Sequence, residues 1–93
     1  MLIQHKKVND KGVFFIQEEE DILAEMVYSM QQPGVMIVEH TEVSEELRGQ
    51  NIGYELVHHA VEYARSHRLK IHPVCSFTKS VLERKPEFAD VWI

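Results

Sequence analysis

The sequence predicts an α/β (α+β) domain: one mainly antiparallel sheet of about five strands, one long helix and one short C-terminal helix. Three observations point there. Turn signals recur at short intervals through the first half of the chain, with no helical pattern between them. After Ile52 the apolar spacing switches to that of one helix face. A short β-rich run and a second helical run then follow directly. A length of 93 residues is expected to make one domain over 1–93.

The strands come in order. Residues 2–8 form a weak first strand, and Asn9-Asp10-Lys11-Gly12 reads as a turn whose glycine supplies positive φ. Val13-Phe14-Phe15-Ile16 is rich in aromatic and β-branched residues, and Glu18-Glu19-Glu20-Asp21 makes the next loop. A third strand over 22–30 is closed by Gln31-Gln32-Pro33-Gly34, and a fourth runs over 35–43. Met26, Met30 and Met36 read as core on these strands. Consecutive hairpins of this kind imply an antiparallel meander.

Apolar residues at Leu56, Val57, Ala60, Val61 and Ala64 then line one face of a helix starting at Ile52. Glu55, His58, Glu62 and Arg65 take the other side. Cations in Arg65-Ser66-His67-Arg68 close it near the negative end of its dipole. Residues 69–74 give a strand, Ser76 reads as the N-cap of a last helix through Leu82, and Pro86 stops that helix. The pattern assigns no element to residues 88–93.

Composition narrows the function. Hydrophobic residues at 44% and charged residues at 27% describe an ordinary soluble globular protein. A net charge of −5 excludes nucleic acid as the main partner, since Lys6, Lys7, Lys79, Arg84 and Lys85 are too dispersed to displace phosphate counterions. It would suit a cationic substrate such as an amine. The single cysteine, Cys75, forms no internal disulfide. The amino terminus lacks a signal-peptide layout, and no apolar run reaches the roughly 20 residues that span a bilayer. A soluble, cytoplasmic protein without a membrane partner is expected.

The segment Ser44-Glu45-Glu46-Leu47-Arg48-Gly49-Gln50-Asn51-Ile52-Gly53 joins the fourth strand to the long helix. Such a junction exposes unpaired N–H groups at the positive end of a helix dipole. Glycines let an anion approach the main chain and Arg48 adds charge, so the junction suits a diphosphate. No Gly-Lys-Ser/Thr follows, which excludes the P-loop. The glycine spacing and the preceding hairpins exclude a dinucleotide fingerprint.

Arg48-Gly49-Gln50-Asn51-Ile52-Gly53 resembles the signature of the GNAT N-acetyltransferases, Arg/Gln-x-x-Gly-x-Gly/Ala, with Asn51 at the middle glycine. Asparagine tolerates left-handed backbone better than most residues, although its side chain could crowd a phosphate. The order of elements, with His40-Thr41-x-Val43 before the signature and Pro73-x-Cys75-Ser76 after it, is similar to the short YjdJ-type branch across nearly the whole chain. That branch lacks the two helices that larger members insert after the first strand. The resemblance implies a GNAT-like fold and transfer of acetyl from acetyl-coenzyme A (acetyl-CoA) to a small amine or protein amine. The alternative is a CoA-binding module with little turnover.

The resemblance also assigns roles. Arg48, Gly49, Gln50, Asn51, Ile52 and Gly53 would hold the CoA diphosphate. Thr41, Glu42 and Val43 would lie beside the pantetheine arm where two strands splay apart, with Ser76 and Lys79 near the cofactor. Lys79 could meet a phosphate or simply be solvated. Glu39 and His40 are adjacent, so on a regular strand they face opposite sides unless a bulge intervenes. His40 is the better general base, its unperturbed pKa being about 6.5, or else a structural histidine. Cys75 precedes a helix N-terminus, which can lower a thiol pKa. It either accepts acetyl covalently or only lines the thioester pocket. His40, His72 and Cys75 lack metal-ligand spacing, and the adjacent His58 and His59 diverge, so no metal is expected.

Overall fold

The computed structural model describes residues 2–93. Five strands form one sheet in the order β1-β2-β3-β4-β5: β1 is Gln4–Val8, β2 Lys11–Glu18, β3 Asp21–Gln32, β4 Val35–Val43 and β5 Lys70–Pro73. The first four pair antiparallel as consecutive hairpins, as the turn spacing predicts. β5 joins β4 in parallel, which needs a long crossover. That crossover contains a 3-10 turn at Glu45–Leu47 and α1, Ile52–Ser66. α2, Ser76–Arg84, leads to a 3-10 turn at Pro86–Phe88.

Ile52, Leu56, Val57, Ala60, Val61 and Ala64 of α1 are buried, the face read from the sequence. Small Ala60 and Ala64 let the helix approach the sheet closely. Opposite them lie Phe14, Ile16, Met26, Tyr28, Met36, Val38 and Ile71. α2 adds Val81 and Leu82 to the same core. Met26 and Met36 are fully buried and Met30 packs on the core edge. Both helices therefore cover one sheet face. Val13, Phe15, Val27 and Ile37 of the other face are only half-buried, since β1 passes straight to β2 with no helix between.

Local details differ from the expectations. Gly12 does not carry positive φ; Asn9 does, at 56°. Gly12 sits inside β2 because a Cβ there would lie 2.2 Å from the Tyr28 ring. Gly34 supplies φ 77° at the third turn, in keeping with Pro33-Gly34. α2 runs to Arg84, past the expected Leu82. Residues 88–93 fold back along β5: Ile71 N–H donates to Val91 C=O at 2.6 Å, and Ile93 N–H to Ile71 C=O at 2.9 Å. Arg65 holds this segment through both carboxylate oxygens of Asp90, at 3.1 and 2.8 Å.

Candidate functional site

β4 and β5 pair only from Val35 to Val38. The Val38 carbonyl accepts the N–H of both Val74 and Cys75 at 3.0 Å and ends the ladder. β4 continues to Val43 while the chain after Pro73 turns into α2, so residues 39–43 have a strand neighbour only on the β3 side. The two strands part there. An unpaired strand edge can hydrogen-bond an extended ligand that carries its own amides.

A β-bulge lies at this point. Tyr28 pairs with Val38 but Val27 pairs with His40, which makes Glu39 the extra residue. Val38 keeps the helix-covered face, while Glu39 and His40 both reach the open face, so the opposite-facing arrangement of a regular strand does not apply. Glu39 there accepts hydrogen bonds from Lys11 Nζ at 3.1 Å and Ser29 Oγ at 3.2 Å. His40 is exposed, with its Nε2 3.9 Å from Glu42 Oε1. Ligand atoms of Glu25, His40 and Glu42 lie within 4.8 Å of one another. His72 and Cys75 do not join that group.

Past the bulge, Thr41 returns to the helix face, paired with the buried Met26. Its hydroxyl lies 3.6 Å from Cys75 Sγ and 3.3 Å from Thr78 Oγ1. Thr78 is fully buried. Burial pushes the Cys75 thiol pKa up, but hydrogen bonds from the Thr78 N–H, the Thr41 and Thr78 hydroxyls and the Phe77 N–H outweigh it and lower the pKa. Cys75, rather than Ser76, is the N-cap of α2, and Lys79 N–H donates to its carbonyl at 3.0 Å. Ser76 becomes the first helical residue because Cys75 keeps extended backbone, φ −66° and ψ 123°.

The signature loop folds as its residue types require. Gly49 has φ 82° and Asn51 φ 64°, so Asn51 supplies the left-handed conformation expected of the middle glycine. Asn51 caps α1 without a side-chain hydrogen bond, and Glu55 N–H to Asn51 C=O is the first bond of the helix. The N–H groups of Ile52, Gly53 and Tyr54 precede that bond and have no intrahelical partner. Gly53 has a different reason to be glycine: a Cβ there would lie 2.5 Å from Phe77 Cζ.

These groups open on a cavity of about 780 Å³, lined at the loop by Arg48, Gly49, Asn51, Ile52 and Gly53, with Val43 at the end of β4. Its volume falls in the range of small-molecule sites, ~300–1,000 Å³. Leu47, Tyr54, Phe77, Val81, Arg84 and Lys85 complete the wall. None of these six was singled out as a contact from sequence. Phe77, Val81 and Arg84 recur at i, i+4 and i+7, a face of α2 separate from buried Thr78 and Leu82, and that spacing was the available signal.

The remaining expected residues fall outside that cavity. Thr41 and Cys75 meet each other beside the parted strands. Glu42 lines a smaller hollow with Glu25 and Val43, and Gln50 faces another with Glu55 and His59. Ser76 and Lys79 are exposed on the first turn of α2. His40 and Cys75 lie towards opposite faces of the sheet.

A mixed five-strand sheet that parts beside its crossover helix, with a glycine-containing loop and unpaired N–H groups at that helix's start, defines the N-acetyltransferase class of α/β folds. The chain belongs to the GCN5-related N-acetyltransferase family, whose profile matches residues 13–91. It is an acetyltransferase of a family that uses acetyl-CoA as co-substrate. A GCN5-like candidate N-acetyltransferase from Staphylococcus aureus, solved by NMR, shares 36% identity over 97% of this chain and 87% of its own, with a TM-score of 0.74. An IAA acetyltransferase from Bacillus cereus shares the fold at 20% identity and TM-score 0.62, over 81% of this chain and 53% of its own. AAC(6')-Iy, in complex with the bisubstrate analogue CoA-S-monomethyl-acetylneamine, does so at 11% identity and TM-score 0.60, over 83% of this chain and 61% of its own. The chain thus spans just over half the length of these two larger proteins. No curated protein matches it. Among the described residues no helix is long and apolar enough to cross a membrane.

Proposed function

We propose that residues 1–93 act as a single domain that takes acetyl from acetyl-CoA and delivers it to an amine approaching the open sheet face. The observation that carries this reading is the parting of β4 and β5 beside the signature loop and cavity. The diphosphate sits on the free N–H groups at the start of α1, with Arg48, Gly49, Asn51, Ile52 and Gly53 as its cradle. The pantetheine arm runs along Val43, Glu42 and Thr41 and adds its amides to the unpaired edge of β4. Ser76 and Lys79 flank the arm from α2.

The chemistry divides between the two faces. On the open face His40 takes one proton from the cationic acceptor to free its nitrogen lone pair, passes it to water, and takes the second N–H proton as the amide forms. Glu25 and Glu42 beside it favour an acceptor that arrives as a cation. On the helix face Cys75, with Thr41 and Thr78 on its sulfur, donates its proton to the departing CoA thiolate. The amine nitrogen–carbonyl bond forms as the thioester C–S bond breaks, and both side chains are reset by proton exchange with water. Because His40 does not share a face with Cys75, it is not placed to activate the thiol as a nucleophile, and direct transfer is favoured over an acetyl-Cys75 intermediate. The uncovered sheet face leaves room for a small amine or an amine on a protein surface.

The test is release of free CoA thiol from acetyl-CoA across a panel of amines, with Cys75 followed by mass spectrometry. Amine-dependent release that falls at least tenfold in His40→Gln and in Cys75→Ala, without acetyl on Cys75, is expected. Wild-type turnover in both variants would overturn the assigned roles. Cofactor binding without release for any amine would turn the reading towards a CoA-binding module.

A further inference from the structure

The cavity that receives the signature loop has a second cationic end. Of its twelve lining residues, Arg48, Arg84 and Lys85 are cations and none is a carboxylate, although the chain carries a net charge of −5. Arg48 belongs to the loop, whereas Arg84 and Lys85 come from the end of α2. Among the described residues none of the three forms an ion pair. Arg84 Nη1 donates only to Ser80 Oγ at 3.2 Å, and Lys85 Nζ stands over the Tyr54 ring, 5.0 Å from its centroid.

Cations near a helix C-terminus are favourable whatever else they do, since they complement the dipole. That explains charge at positions 84 and 85 but not why both side chains face the cavity that also receives the loop. The order of groups along α2 supplies the reason. Cys75 lies at its start, Phe77 meets Gly53 of the loop, and Arg84 and Lys85 follow about 10 Å further along the helix axis, at ~1.5 Å per residue. CoA presents the same order: thiol, diphosphate, then a ribose with a phosphate monoester on its 3′ oxygen.

We infer that Arg84 and Lys85 form the recognition site for the 3′-phosphate of CoA. The inference rests on the placement of CoA in this cavity, which the signature loop supports separately. The two cations neutralise a phosphate dianion with charge-assisted hydrogen bonds, the Arg84 fork being suited to its oxygens. Tyr54, exchanging its contact with Lys85 for the flat adenine, offers a stacking surface beside them.

The experiment compares acetyl-CoA with acetyl-3′-dephospho-CoA by calorimetric titration of the wild type and of the double variant Arg84→Gln, Lys85→Gln. The wild type should bind the 3′-phosphorylated form roughly tenfold or more tightly, with the preference shrinking as salt rises. The double variant should lose that preference while binding the dephospho form within about twofold of wild type. Thermal unfolding of the free proteins confirms that the variant is folded and measures any dipole effect separately. Equal wild-type affinity for both cofactors, or a preference that survives in the variant, overturns the inference and leaves the loop site standing. Binding of neither cofactor overturns both.

Discussion

Gly53 of α1 and Phe77 of α2 meet so closely that a Cβ on Gly53 would lie 2.5 Å from the ring's Cζ. This contact joins the two helices at the wall of the cavity and places the signature loop against α2. The final glycine of the signature is thus fixed by packing between helices, while Gly49 and Asn51 are fixed by backbone conformation.

Adding a methyl group at such a contact should destabilise the fold by about 1–3 kcal/mol. Gly53→Ala is expected near the lower end, because the Phe77 ring is 41% exposed and can swing aside. Gly12→Ala should cost more, because a Cβ there would lie 2.2 Å from the fully buried Tyr28 ring. Urea unfolding checks both. In a Phe77→Ala background the cost of Gly53→Ala should nearly vanish, and an unchanged cost would show that the ring is not what excludes a side chain.

Asn51 carries φ 64° with no side-chain cap bond, so backbone conformation alone accounts for the residue. Asn51→Ala should cost about 1 kcal/mol, the strain of left-handed backbone with a plain Cβ, whereas Asn51→Gly should be nearly neutral. Equal losses in the two variants, measured in urea, would point to an unrecognised role for the amide.

Thr78 is expected to act on the thiol. Thr78→Val removes a hydroxyl that lowers the Cys75 pKa, so the pH at which alkylation by iodoacetamide accelerates should rise towards the ordinary thiol value of 9.0. Thr78→Ser should restore the profile. A valine variant with an unmoved profile would leave Thr78 a packing residue only.

The edge strand β1 has five exposed residues and is tied down by the His5 ring, which stacks on Phe14 at 4.2 Å and lies 2.5 Å from the Tyr28 hydroxyl through Nε2. Burial lowers the His5 pKa below 6.5, helped by His67 and Lys7. The unfolded chain therefore binds the proton first, so this contribution is complete above pH ~6.5 and falls as pH drops towards the lowered value. Asp90, lowered below 3.8 mainly by Arg65, loses its contribution only in a more acidic window. Stability measured against pH should flatten near and just below pH ~6.5 in His5→Phe, and an unchanged slope there would exclude His5 as its source.

Period and turn chemistry made most of the fold legible, since the strand alternation of residues 2–43 and the helix face from Ile52 to Ala64 are local signals. The bulge at Glu39 was not readable, because it depends on where β3 pairs with β4, a register between distant residues. Nor was the return of residues 88–93, which is anchored by Arg65 on α1 and Ile71 on β5. Of the loop half of the cavity, Arg48, Gly49, Asn51, Ile52 and Gly53 could be named, whereas Gln50 between them faces a different hollow. Its far wall could not, because Tyr54 and Arg84 come together only when α1 and α2 pack.

The most direct measurement is a titration of 15N-labelled protein with CoA, followed through backbone amide signals. Saturable shifts concentrated at Gly49, Asn51, Ile52 and Gly53, extending along Thr41 to Val43 and leaving His5 and Tyr63 unmoved, are the predicted result. Shifts confined to the open sheet face, or a loop that stays silent at millimolar CoA, would contradict the cradle on which the proposed function rests.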